Sequence, residues 1–336
     1  VKADGFGHGA VPVARAALEA GATWLGVALV EEGIELRDAG IEAPVLVLSE
    51  VPRGAERAAL GAALTPTVCS YDGVASIAAA ARALGRRVGV HLKVDTGMHR
   101  IGVWPPADAP DLARAAVDAG LDLEAVWTHL ASAESDASFT ALQLERFHGV
   151  LEALDARGLH PRLRHAANSA AALAVPEARF DLVRAGIALY GLAAGPGLEE
   201  RLRPALTLRS RVSAVRRLDA GEALSYGQTY RLHAPATIAT VPIGYADGYP
   251  RAVSPGAEAL VGGRRFPVAG RVTMDQVLLD CGDASVAEGD EVVLIGAQGE
   301  ERVTVERLAA LAGTIPYEVV TGISPRVPRT YVGGSP

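Results

Sequence analysis

Val88-Gly89-Val90-His91-Leu92-Lys93-Val94 is an almost continuous apolar run, and it reads as a parallel strand buried between helices. It does not stand alone. Residues 24–28 and 45–48 are similar runs, and residues 31–39, 54–60 and 74–84 between them carry helical spacing. The alternation continues through a strand at 123–129, a helix at 138–156 and a strand at 163–166. Repeated βα units of this kind predict a (β/α)8 TIM-type barrel, whose chemistry gathers at the C-terminal ends of its strands. Lys2, Lys93, His129, Asn168 and Arg184 all fall at such ends.

After residue 198 the texture changes. Short strands at 206–212, 236–241, 266–268, 277–279 and 292–295 are separated by turns, and only 305–312 keeps a helical pattern. The expected organisation is therefore a barrel over residues 1–198 and a mostly β domain over 199–336, with the linker at 195–201. A length of 336 residues, about twice a usual single domain, agrees. Aromatics make up only 5% of the chain, which suits helices on a parallel sheet better than an aromatic-rich sandwich.

Composition also excludes partners. The net charge is −7 and basic residues are spread rather than massed in a stripe, which argues against nucleic acid. No apolar run approaches the ~18–20 residues that a membrane span needs. Cys69 and Cys281 are far apart and lack metal or redox spacing, so a reducing cytoplasm is the economical location. The eight histidines lack close ligand spacing, and no catalytic metal is expected.

Val1-Lys2-Ala3-Asp4-Gly5-Phe6-Gly7-His8-Gly9 places a lysine at the end of an apolar strand remnant, before a glycine-rich turn. A lysine pointing from a strand end into a cleft is freed by burial to form a Schiff base, and the glycines let backbone approach a phosphate. Both features suit pyridoxal phosphate. Two rivals share these residues: a surface lysine beside an ordinary loop, and a dinucleotide fingerprint whose third glycine comes one residue early. The second half of the chain weighs against them. Leu224-Ser225-Tyr226-Gly227-Gln228-Thr229-Tyr230 holds a tyrosine in a turn, where stabilising neighbours would let it exchange a proton.

With these two segments, the chain resembles the alanine racemase family from residue 1 to about residue 329. His91-Leu92-Lys93-Val94-Asp95-Thr96-Gly97-Met98-His99-Arg100-Ile101-Gly102 is similar to the family segment that carries an often carbamylated lysine and a carboxylate-holding arginine, here Lys93 and Arg100. Val183-Arg184-Ala185-Gly186-Ile187-Ala188-Leu189-Tyr190-Gly191 resembles the segment whose arginine faces the pyridine nitrogen and whose next amides, here Gly186 and Ile187, reach the phosphate. Thr273-Met274-Asp275-Gln276 and Pro316-Tyr317-Glu318 complete the match.

The resemblance implies a pyridoxal 5'-phosphate enzyme that interconverts L- and D-alanine on a cofactor aldimine, supplying D-alanine for peptidoglycan. It implies Lys2 as the base on the D-face and Tyr226 as the base on the L-face. Ser169 and Tyr317 join Gly186 and Ile187 around the phosphate, and Asn168 belongs to the same cofactor site. His129 holds Arg184, the backbone near Met274 helps Arg100 with the substrate carboxylate, and Tyr245 and Tyr317 crowd the substrate entry to a methyl group. A head-to-tail homodimer follows, each site completed by the partner's tyrosine. Salt-bridging to Asp95 is the simpler reading of Lys93, and a satisfied core histidine that of His129. Asp95-Thr96-Gly97 also spells the aspartic-protease tripeptide, but it occurs once and has a basic flank.

Two departures stand out. Phe6 occupies a place where most members carry tyrosine, which removes a hydrogen bond of ~1.5–3 kcal/mol to the phosphate and should loosen the cofactor. The chain also opens at Val1, where the family has a few dozen earlier residues, and so it reads as a fragment. Alternatives are a broad-specificity amino-acid racemase, a related decarboxylase for which Cys281 is the candidate thiol, and a non-catalytic cofactor carrier, which the β domain argues against.

Overall fold

The computed structural model describes residues 1–195, 197–198 and 201–333. Residues 196, 199 and 200 of the expected linker and 334–336 of the expected second domain lie outside them. The chain divides into two compact units, one formed by Val1–Gly5 with Gly9–Arg203, the other by Phe6–His8 with the residues from Pro204 onward.

In the first unit six strands form one parallel sheet in sequence order: β1 Leu25–Val27, β2 Val45–Glu50, β3 Thr65–Val68, β4 Gly89–Lys93, β5 Asp122–Trp127 and β6 Leu163–His165. Helices Val30–Asp38, Glu56–Gly61, Tyr71–Ala83, Ala109–Asp118 and Ala137–Asp155 alternate with them. Both ends of the sheet continue as short staves held by one or two hydrogen bonds. The Val1 nitrogen donates to Gly26 O at 2.8 Å, while Asp181 N and Arg184 N donate to Arg164 O and Ala167 O at 3.1 and 3.0 Å. Eight staves result, and the fold is the (β/α)8 barrel that the alternation predicts.

Local chemistry starts these helices. Ser70 Oγ accepts from Gly73 N at 2.9 Å and Asp136 Oδ1 from Phe139 N at 2.9 Å, each satisfying a donor that a helix start leaves unpaired. Fully buried alanines at 14, 59, 113 and 116 let helices approach the sheet closely. Phe147, Leu36, Ile77 and Leu92 fill the core. The strand Thr65–Val68 and the helices Ala10–Glu19 and Ala109–Asp118 are additions to the sequence reading. Pro66 interrupts the β signal of the first, and the alanine-rich helices show little contrast between faces.

Lys2–Gly7 corrects the sequence expectation of a simple glycine-rich turn. Ala3, Asp4, Gly5, Phe6 and Gly7 have φ of 53, 50, 57, 53 and 77°, so the segment is a left-handed helical turn. For non-glycine residues this conformation costs roughly 1–2 kcal/mol each. Side chains and backbone of the first unit hold its start: Glu32 Oε1 accepts from Ala3 N at 2.6 Å, and Asp4 Oδ1 accepts from Ala10 N at 2.8 Å.

The second unit is mostly β, as expected. One antiparallel sheet joins Val277–Asp280, Ala236–Val241 and Ala214–Leu218; another runs Arg264–Pro267, Glu258–Val261, Glu291–Gln298 and Glu301–Val303, with Leu208–Arg211 also pairing Glu291–Gln298. The strand expected at 206–212 is Leu208–Arg211, and Ala214–Leu218 follows it as a strand of the other sheet. Val305–Ala312 is helical as predicted, but a second helix, Pro316–Thr321, follows it and corrects the reading of one helix only. Its six residues are too few to show a helical period.

Phe6–His8 belong to this unit because their backbone is clamped by it. Arg329 donates to Gly7 O at 3.0 Å and also to the carbonyls of Ile323, Ser324 and Val327, and Tyr331 OH donates to His8 O at 3.0 Å. A Cβ on Gly7 would lie 2.2 Å from Val320 O, at a φ that only glycine adopts freely. Gly7→Ala is therefore expected to destabilise the protein by about 3 kcal/mol, strain and overpacking together, in guanidinium denaturation. A loss below about 1 kcal/mol would show that the clamp yields.

Candidate active site

β4 ends at Lys93, which is 3% exposed, and the chain loops through Asp95 and Arg100 before Val103 N returns to Lys93 O at 2.9 Å. Asp95 does not pair with Lys93. Its Oδ1 accepts from Gly97 N and His99 N at 2.8 and 3.1 Å, which shapes the loop instead. Lys93 Nζ rests 4.3 Å from the ring centroid of Trp127, its register partner on β5. Burial first, then the charges of Arg100 and Arg184, push the amine down to about 8.

Arg184 is the centre of the site. Its Nη1 donates to His165 Nδ1 at 2.8 Å; its Nη2 donates to Thr128 O at 2.7 Å, Ala166 O at 2.9 Å and His129 Nδ1 at 3.2 Å. The guanidinium lies 4.6 Å from the Trp127 ring, which stacks on His165 at 5.3 Å. Burial pushes Arg184 down to about 9, so it stays charged at neutral pH. Every one of these acceptors is a neutral carbonyl or imidazole, and the guanidinium Nε makes none of the bonds. The charge is therefore held without being cancelled, and Nε–H and the second Nη1–H are left over, either able to meet a ring nitrogen.

His129 bonds Arg184 as the sequence reading expects, and it lies within the fields of Arg184, Arg100, Lys93 and Lys2. Burial and these four charges, in that order, push it down to about 3. Five predicted residues thus share one electrostatic neighbourhood, built for anions. Lys2 itself is exposed, which corrects the expectation of a buried lysine. Arg100 is exposed as well.

The phosphate candidates sit one turn further along. Buried Ser169 accepts from Gly186 N at 2.8 Å and Ala188 N at 3.3 Å, and Ile187 opens the 3-10 turn Ile187–Tyr190. Asn168 acts by placing Ser169: its Oδ1 accepts from Ala171 N at 3.0 Å as the cap of helix Ser169–Ala174, and its Nδ2 donates to Leu130 O.

The remaining predicted residues lie in the second unit. Tyr226 projects from the turn between strands Ala223–Leu224 and Tyr230–Arg231 and is 73% exposed. Ser225, Gly227 and Gln228 in that turn all have positive φ, and Ser225 Oγ donates to Arg271 O at 2.7 Å. A surface hollow beside it is lined by Ser225, Tyr226, Thr273, Gln276 and Leu278. Exposed Tyr245 and Met274 are backbone neighbours, since Tyr245 N and Ala246 N donate to Thr273 O and Met274 O at 3.0 Å each. Gly244 permits this approach, for a Cβ there would meet Met274 O at 2.3 Å. Tyr317 packs against buried Phe6 with ring centroids 5.9 Å apart.

Sequence reasoning missed His91, His165 and Gln143. Buried Gln143 donates to Thr96 Oγ1 at 3.2 Å and His129 O at 3.1 Å and accepts from Ala131 N, which ties the loops after β4 and β5 together. A signal for His91 existed: residues two apart on a strand share a face, and His91 is two before Lys93.

A barrel with this cationic centre is followed in sequence by a mostly β unit, and both parts match one known family. Residues 1–194 match the family described as "Alanine racemase, N-terminal domain" and residues 205–331 that described as "Alanine racemase, C-terminal domain". The chain is 52% identical to the alanine racemase of Symbiobacterium thermophilum over 99% of its own length and 89% of that protein's. It is 46% identical to that of Thermobifida fusca, over 99% and 90%. The crystal structure of alanine racemase from D-cycloserine-producing Streptomyces lavendulae matches with a TM-score of 0.94 at 41% identity, covering 100% of this chain and 90% of that one. The chain belongs to the alanine racemase family.

Proposed function

We propose that the chain interconverts L-alanine and D-alanine by moving the Cα proton between Lys2 and Tyr226, with pyridoxal 5'-phosphate seated in the barrel. The observation that supports it most is Arg184, a half-buried guanidinium bound to neutral acceptors through Nη1 and Nη2, with Nε outside those bonds. Pyridoxal phosphate, when bound, supplies an electron sink for the pair left at Cα. Arg184 would face its ring nitrogen, and a permanent cation there withholds a proton from that nitrogen and so favours racemisation over side reactions. Ser169, Gly186, Ile187 and Tyr317 would hold the phosphate. Arg100 and the backbone at Met274 would hold the substrate carboxylate. Tyr245 and Tyr317 would limit the side chain to a methyl, against the broad-specificity alternative.

The remaining parts of the reading are a cytoplasmic location and a homodimer in which each site takes Tyr226 from the partner. Among the described residues no helix is long and apolar enough to cross a membrane, and Cys69 and Cys281 form no disulfide. A decarboxylase role for Cys281 has little support: the thiol is 3% exposed, and burial pushes it up to about 11.

Lys93 suits carbamylation, because the modification needs a neutral amine and yields an anion beside Arg100. With the amine pushed down to about 8, its neutral fraction grows as pH rises through that value. At a fixed pressure of carbon-13 dioxide, carbamate on Lys93 is expected to increase between about pH 6 and 9 by NMR. No carbamate at any pH would refute it. The function as a whole is tested by incubating L-alanine with the loaded chain in deuterium oxide: Cα exchange with growth of D-alanine supports it, and no exchange removes it.

A further inference from the structure

The barrel core contains a polar line that the reaction does not visibly use. His165 Nε2 lies 3.1 Å from His91 Nδ1, both rings are fully buried, and His91 Nε2 has no hydrogen-bond partner. The carboxylate nearest that nitrogen is Glu124, with Oε2 at 3.8 Å; its other oxygen pairs with Arg162 at the surface. Trp24 and Trp127 wall the two imidazoles, at 5.0 Å from His91 and 5.3 Å from His165.

The proton positions along this line follow from one constraint. Arginine only donates, so His165 Nδ1 must accept from Arg184. Burial holds His165 neutral, and its single proton is then on Nε2, from which it donates to His91 Nδ1. His91, also lowered by burial, must in turn carry its proton on Nε2, the ring nitrogen that lies 3.8 Å from the Glu124 carboxylate. All donors point one way, from Arg184 toward the carboxylate.

We propose that His91 and Glu124 are positioning residues for Arg184, acting through His165: the one-way donor line fixes the His165 acceptor and thereby the guanidinium pose that leaves Nε for the cofactor ring. The proposal rests on the pyridoxal phosphate reading above. A carboxylate placed directly on Arg184 would cancel its charge; two neutral imidazoles pass on the orienting effect of Glu124 from a distance without doing so.

Nitrogen-15 NMR of the full chain with labelled histidine tests the first half. His91 and His165 should both appear as neutral Nε2–H tautomers, with and without pyridoxal phosphate. A proton on Nδ1 of either ring, or a charged ring, overturns the proposal. The second half is read as the dissociation constant for pyridoxal phosphate. His91→Leu is expected to weaken binding about five- to tenfold, the loss of one net hydrogen bond, and His91→Asn, whose amide oxygen can accept where Nδ1 does, to restore it to within about twofold. Should the leucine variant not fold, Glu124→Gln at the half-buried end is expected to weaken binding by about threefold. Wild-type affinity in folded His91→Leu or in Glu124→Gln, or an asparagine variant as weak as the leucine one at equal thermal stability, assigns the pair to packing and overturns the role. A wild type showing both tautomers yet binding no pyridoxal phosphate would overturn the cofactor reading, and this role with it.

Discussion

Tyr226→Phe, loaded with pyridoxal phosphate, is expected to racemise alanine about 10²–10⁴-fold more slowly than wild type while still exchanging the Cα proton of D-alanine with solvent. The asymmetry is the point. On the proposed assignment, phenylalanine removes the acid and base of one face only, and Lys2 continues to serve the other. At 73% exposure the ring contributes little to folding, and the turn around it is set by backbone and by Ser225, so stability should not change. Racemisation within about threefold of wild type would exclude Tyr226 as a base and leave the L-face to another group.

Lys2→Ala should be more damaging, losing at least about 10³-fold, because on the proposed assignment Lys2 is both the amine that anchors the cofactor aldehyde and the base of the D-face. Its fold should survive. Lys2 is exposed, and the bonds from Ala3 N to the Glu32 carboxylate and from the Val1 nitrogen to Gly26 O do not involve its side chain. The two inactive variants together also test the dimer. If each site draws Lys2 from one subunit and Tyr226 from the other, a mixed dimer contains one intact site, and random mixing should restore roughly a quarter of wild-type activity. Mixing that restores nothing, with exchange of subunits shown by a tag, would mean that each chain carries its own pair.

The barrel was legible because its signal is periodic. Apolar runs such as 45–48 and 88–94 alternate with amphipathic stretches, and the runs at 88–94 and 123–129 end at Lys93 and His129. Lys93, His129 and Arg184 could be located in this way before any contact was known. The left-handed turn was not legible. Its glycines hint at positive φ, but Ala3, Asp4 and Phe6 adopt it against their own preference, under bonds from Glu32, Ala10 and Arg329 that are distant in sequence or invisible to local propensity. The same holds for the helix Pro316–Thr321, fixed by packing rather than by pattern. His165 escaped notice for a different reason: its meaning lies in what touches it, and Arg184 and His91 come from 19 and 74 residues away.

Trp127 has a consequence outside catalysis. One indole, 1% exposed, lies against Lys93 on one strand, Arg184 at the barrel's closing stave and the imidazole of His165. Of the chain's three tryptophans, Trp104 is half open to solvent and Trp24 stands beside His91, so the three rings sit in distinct settings. The emission of Trp127 should therefore follow the charge of Lys93, falling or rising as the amine loses its proton or becomes a carbamate. On the proposed carbamylation, the chain would carry its own optical gauge of that modification, and no label need be added to read it.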